Sequence, residues 1–299
     1  MKPSTKWIIA AAVAVIAVAA FVYHSKDAPA TSNLSGAATE SATAPASEQR
    51  AATDPPSPAD EKGAKALASG DPLQAMTFEE IKAAAARGSV IAQRQLADIY
   101  AMCGPYSVNP ATWLATLDGL AEASPQAKQG MEQVKKRLVA RCDQVDGGQV
   151  IPKEARNLWA QQAAKNGDVT STVKLRVESP DPLSGKEAAE LADAVVASGD
   201  PQAMLEMSSL MSRPIEDELP DRYAQVAGNP TAGVAWGIAA CRAGAACGNG
   251  SMLMDSVCMS TGRCNYPSYE AFLMGEMVPP GERARLSAML SNIAAIRRP

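Results

Sequence analysis

Hydrophobic and polar positions divide the chain into three stretches. From Trp7 to Tyr23, seventeen residues carry no charge, which predicts a helix of about 25 Å at 1.5 Å per residue. From 25 to about 62 the large apolar side chains almost vanish: Leu34 is the one large aliphatic residue, and prolines stand at 29, 45, 55, 56 and 58. From about Ala64 to Pro299 the sequence reads as helix throughout. Runs of Val, Ile, Thr or aromatic residues with period two are few there, and alanine dominates.

The expected organisation is therefore an N-terminal signal or anchor (1–24), a linker (25–62) and a helical domain (63–299) with possible sub-lobes 63–150 and 151–299. Lys2 and Lys6 precede the apolar run. The positive-inside bias then leaves the N-terminus cytoplasmic and everything after Tyr23 exported, to the periplasm in a bacterial-type envelope. Two fates are open for the run. Ala17-Val18-Ala19 fits a small-x-small cleavage site that would release a soluble protein. Retention, favoured by the continuation through Ala20 to Tyr23 and by Trp7 and Tyr23 as interfacial anchors, makes 7–23 a single membrane pass. The linker buries too little apolar area to offset its backbone entropy and is expected to be a disordered tether of some 35 Å reach.

Helix starts are written as a cap followed by proline: Asp71-Pro72, Asn109-Pro110, Ser124-Pro125, Asp200-Pro201 and Asn229-Pro230. The cap side chain accepts from an orphan amide, and proline at the next position has no amide to leave unpaired. Thr77 with Glu80 and Ser184 with Glu187 have the spacing of capping boxes. About eleven to thirteen short helices are expected.

The chain also resembles itself. The segments beginning at Gly88, Gly167, Gly199 and Gly228 share one template: glycine, a small polar residue, proline or an aliphatic residue, any residue, then a small one (Ala92, Ser171, Ala203, Ala232) and a large apolar one four later (Leu96, Leu175, Met207, Trp236). Glycine ends one helix in a left-handed turn, the polar residue caps the next, and the small residue admits close helix approach. The last three copies are 32 and 29 residues apart, one helix-turn-helix unit, while 79 residues separate Gly88 from Gly167, room for at least one degenerate copy. On these residues, and above all on Ala83 to Tyr100, which looks like the first helix of such a repeat, the chain resembles the Sel-one-like family, relatives of the tetratricopeptide repeat. Trp159 to Leu175 is similar. The resemblance implies an all-α, α-solenoid-like array whose concave face binds protein or peptide, with no chemistry of its own.

Composition narrows the function further. All six cysteines follow the apolar run, and an even number in an exported chain argues for three disulfides. Cys103 is expected to pair with Cys142. Cys241, Cys247, Cys258 and Cys264 allow three connectivities, and the symmetry of C-x5-C-x10-C-x5-C favours Cys241 with Cys258 and Cys247 with Cys264. A zinc site wants closer pairs, and no cofactor motif is present. The single histidine is His24, so histidine-based triads and zinc sites are excluded from the exported domain. The catalytic alternative is a glycan or peptidoglycan hydrolase. It would use paired carboxylates, with Glu79-Glu80, Glu187 and Glu190, or Glu216-Asp217-Glu218 as candidates, or a Ser171/Lys174 pair in the order S-x-x-K. A net charge of −4 speaks against nucleic acid. The one basic cluster, Lys135, Lys136, Arg137 and Arg141, reads as a solvated face or as a contact for anionic envelope polymers. Met204, Met207, Met211, Met252, Met254, Met259, Met274 and Met277 read mostly as core filler, with any exposed subset an adaptable binding surface.

Overall fold

A computed structural model describes residues 76–297; the run 7–23, the tether, His24 and the Asp71-Pro72 cap lie outside the described residues. Among the described residues are thirteen α-helices and no strand, the nearest being one isolated bridge between Gly248 and Ser268. In chain order they are α1 (Phe78–Ala86), α2 (Val90–Val108), α3 (Pro110–Ala123), α4 (Lys128–Cys142), α5 (Lys153–Lys165), α6 (Val169–Glu178), α7 (Gly185–Ser198), α8 (Pro201–Met211), α9 (Asp221–Ala224), α10 (Pro230–Arg242), α11 (Met252–Thr261), α12 (Tyr269–Phe272) and α13 (Arg283–Ile296). No helix among the described residues is long and apolar enough to cross a membrane.

The caps explain where most of these begin. Asn109, Asp200 and Asn229 accept from the amides of Thr112, Gln202 and Ala232, each with proline as the first helical residue. Ser124-Pro125 opens only a three-residue 3-10 turn with no side-chain cap. Thr77 and Glu80 close a full capping box. Ser184 accepts from the Glu187 amide, but the Glu187 carboxylate turns outward to Arg176 and leaves that box half made.

All four template glycines have positive φ, from 63° to 95°, and open α2, α6, α8 and α10. Each following residue caps its helix, and Ala92, Ser171, Ala203 and Ala232 are all buried. Of the large apolar positions, Leu96, Met207 and Trp236 are fully buried and Leu175 is half-buried. Helix α2 packs on α1, α6 on α5, and α8 on α7, α6 and α10. The segment Ala83 to Tyr100 straddles the turn between α1 and α2 rather than forming one helix. In the long interval after α2 the chain makes an excursion, α3 and α4, that packs back on α2 while α5 takes its place directly against α2.

Two apolar cores result. The first gathers Phe78, Ile81, Leu96, Tyr100, Leu117, Met131 and their neighbours up to Ile151, and draws in Cys258 from α11. The second runs from Val173 to Ile293 and centres on Met204, Met207, Met211, Tyr223 and Trp236, whose indole Nε1 donates to the Val226 carbonyl at 2.9 Å. Most of the methionines singled out from sequence are buried or half-buried filler; Met277 is exposed. Close approach of α8 and α10 depends on Gly233, where a Cβ would stand 2.6 Å from Ser212 Cβ and 2.8 Å from the Ser208 carbonyl.

The cysteines pair as three disulfides and none is free. Cys103 joins Cys142 as expected. The other two bonds are sequential, Cys241 with Cys247 and Cys258 with Cys264, which corrects the interleaved pairing favoured from the symmetry of the spacing. The reason lies in the helix ends. Helix α10 stops at Arg242, and the turn through Gly244 at φ 109° brings Cys247 back to 5.5 Å from Cys241 between Cα atoms. Helix α11 ends on left-handed Gly262, which returns Cys264 to 4.5 Å from Cys258. Helix α11 moreover packs on α4, with Cys258 in the first core and 4.0 Å from Met131, so Cys258 is drawn away from α10.

Candidate functional site

The candidates named from sequence scatter when placed. Glu80 is committed to its capping box, Glu187 to Arg176, and Glu190 stands 3.8 Å from Lys186 on the same helix. Glu79, Glu216, Asp217 and Glu218 lie on other stretches of surface. Ser171 is buried at a helix contact, while Lys174 Nζ is bonded to Asp98 across from α2. A Ser-Lys nucleophile needs a lysine that gives up its proton. Burial, the largest influence on Lys174, pulls its pKa down, but the charges of Asp98 and Glu206 and the bond to Asp98 outweigh it and hold the ammonium above its ordinary range.

The basic cluster serves the fold. Asp255 on α11 is almost fully buried, and Arg137 grips its carboxylate through Nε at 3.1 Å and Nη2 at 2.6 Å while Arg141 Nη1 donates at 2.7 Å. Lys135 is occupied by Asp118 and Glu132; Lys136 remains exposed.

What the fold does bring together is a cleft of about 580 Å³. One wall is α2, through Gln95, Asp98, Ile99 and Met102. The floor is Lys174 of α6 and, from α8, Gln202, Leu205 and Glu206. The rest of the lining includes the turn Ala243 to Ala246, the start of α11 at Met252 and Leu253, and Tyr269. Sequence reasoning passed over this place because its polar residues sit at unconstrained positions of the template, on three helices far apart in the chain.

The consecutive polar residues Gln93, Arg94 and Gln95 are all buried on α2. Gln93 donates to the Ala85 carbonyl and accepts from Asn166. Arg94 Nη1 reaches Asp168 at 3.1 Å, Asp200 at 2.5 Å and Thr170 at 2.7 Å. Asp168 and Asp200 are the caps of α6 and α8, and each gives one carboxylate oxygen to its own helix and the other to Arg94. One guanidinium thus ties together the starts of two template helices and a third helix. Burial works against both charges, but the attraction between them wins: Arg94 is held above its ordinary range and Asp200 below. Gln95 differs from its two neighbours, for its Nε2 is buried and has no acceptor among the described residues.

Glu206 is half-buried, and no ion pair within 4 Å reaches it among the described residues. Burial raises its pKa; Lys174 and a hydrogen bond from Gln202 pull the other way without cancelling the rise, to which Asp98 and Glu178 add. Tyr269 is likewise raised, by burial first and then by Glu206. No group of three or more His, Cys, Asp or Glu side chains among the described residues is placed to hold a metal ion.

The fold and site define an all-α, triply disulfide-bonded protein with a cleft lined by both apolar and charged side chains. No protein-family model, curated protein or solved structure matches the chain.

Proposed function

We propose that this chain is a non-catalytic helical-repeat protein of the cell envelope, held at the membrane through 7–23 with its domain in the periplasm, that binds a peptide or protein segment in the cleft between α2, α8 and α11. The carrying observation is the composition of that cleft: Ile99, Met102, Leu205, Met252, Leu253 and the Ala243 to Ala246 turn give it apolar surface, and its two cations, Arg94 and Lys174, are already neutralised by carboxylates. Such a surface holds a ligand by area and hydrogen bonds and leaves no activated nucleophile. Reading α1–α2, α5–α6, α7–α8 and α9–α10 as successive units of a Sel-one-like array puts the cleft on the inner side of the stack. Pairing of all six cysteines supports the oxidising address.

Two measurements test this. Alkaline phosphatase fused after residue 62 should be active in a bacterial host; an inactive fusion there overturns the exported address. The immobilised full chain should retain a subset of tryptic peptides from envelope proteins, and Leu205→Arg, which fills the floor, should lose them. Equal retention by both chains sinks the cleft as the binding site. One observation favours the hydrolase alternative, the elevated Glu206 carboxyl facing the same cleft as Asp98. Under that reading, reducing ends would be released from purified peptidoglycan by the native chain and not by Glu206→Gln.

A further inference from the structure

Gln95 and Glu206 line the same cleft. Gln95 is 2% exposed, lines the cleft, and leaves its amide donor without an acceptor; a buried donor left unmade is costly, and a ligand acceptor would recover that cost. Glu206 lines the floor with no cation within 4 Å among the described residues, and around it the charges do not balance. Arg94 and Lys174 stand against Asp98, Asp168, Asp200 and Glu206, two cations to four carboxylates. Met252, Leu253, Leu205 and the Ala243 to Ala246 turn line the same cleft and provide aliphatic surface, the kind that covers the methylene stem of a long cationic side chain.

We propose that the cleft selects a peptide segment carrying a lysine or arginine, with a backbone carbonyl accepting from Gln95 Nε2 and the cationic side chain reaching Glu206. The selection rests on the peptide-binding reading above and adds to it the chemistry of the ligand. A free polyamine meets the carboxylate but offers Gln95 no acceptor; an acidic or neutral peptide meets Gln95 but leaves Glu206 bare. The cleft volume lies within the range usual for small ligands, about 300–1,000 Å³.

The test uses the full chain and a mixed library of N-acetylated, C-amidated tetrapeptides, read by equilibrium dialysis and mass spectrometry. Retained peptides should be enriched in lysine and arginine. A lysine peptide should bind at least tenfold more tightly than the same peptide with acetyl-lysine. Glu206→Gln should abolish that preference while keeping the acetyl-lysine peptide, and Gln95→Met should weaken both peptides about three- to tenfold. Peptides retained without basic enrichment overturn the selection and leave peptide binding standing; no peptide retained removes both. Spermidine bound as tightly as the lysine peptide, and unaffected by Gln95→Met, would show simple charge attraction and also overturn it. Comparison of lysine with acetyl-lysine needs no variant and so stands even if Glu206→Gln folds poorly.

Discussion

Around the first core, a disulfide spanning 39 residues ties α2 to the end of α4, and buried Asp255 reaches from α11 into two arginines of α4. Around the second core, α8 and α10 close on each other through Gly233, alanines and Trp236, and the disulfide at the end of α10 spans 6 residues. The difference follows the glycine template of the sequence. Where the glycine template recurs, each helix start brings its own cap and its own small contact residue, and the next helix docks without covalent help. Where the excursion α3 and α4 interrupts it, long-range ties hold the inserted helices in place.

The largest effect that tests this contrast is loss of the long disulfide. Closing 39 residues lowers unfolded-chain entropy by an amount worth roughly 4 kcal/mol, whereas a 6-residue loop is worth about 2. Replacing Cys103 and Cys142 by serine should therefore lower stability in urea by roughly 4 kcal/mol with little change in peptide affinity for a chain still folded. Asp255→Ala comes next, at roughly 3 kcal/mol. It strands two arginines beside a buried pocket, at the lower end of the range for broken buried pairs because the Arg137 side chain keeps 32% exposure. Serine at Cys241 and Cys247 should cost about 2 kcal/mol and yet weaken peptide binding more than either of these, since Ala243 to Ala246, inside that small loop, form a wall of the cleft. Were all three changes to affect binding and stability in parallel, the two cores would be one cooperative unit and the contrast would fail.

Which parts of this were legible in the sequence is itself physical. Helix starts are local, so the caps at Asn109, Asp200 and Asn229 and the four template glycines could be read from three or four adjacent residues. Disulfide partners among four cysteines depend on how a chain returns after a helix, and the symmetric spacing pointed to the wrong pairs. The better signal was there in Gly244 and Gly262, each inside its own six-residue interval and able to turn the chain back. The Asp255 clamp and the cleft depend on helices more than seventy residues apart, for which the sequence has no local sign. A partial one existed: Gln93-Arg94-Gln95 falls between Ala92 and Leu96, both buried. A helix packed on several sides must partner such residues internally, and the one it leaves unpartnered marks the site.

The smallest effect separates two carboxylates, buried Asp255 and half-buried Glu206. Asp255 is clamped by arginines, so its removal destabilises at neutral pH, whereas Glu206 is half-buried without an ion pair and its pKa lies above the ordinary 4.5. Between 4.5 and the raised value the folded chain keeps a proton that the unfolded chain has released. The stability this brings is complete below 4.5 and is lost as pH rises through the folded value. Neighbouring charges set the size of the loss: Lys174 and Gln202 ease the ionised form, while Asp98 and Glu178 oppose it. Glu206→Gln keeps the shape and removes the titration. Its melting temperature should exceed that of the native chain by a few degrees at pH 7 and match it near pH 4, by calorimetry without peptide. A variant less stable by the same margin at both values would mean that Glu206 serves the fold as Asp255 does. An excess confined to neutral pH would mean that the second core carries an ionised group at a cost in stability, as a floor that waits for a cation should.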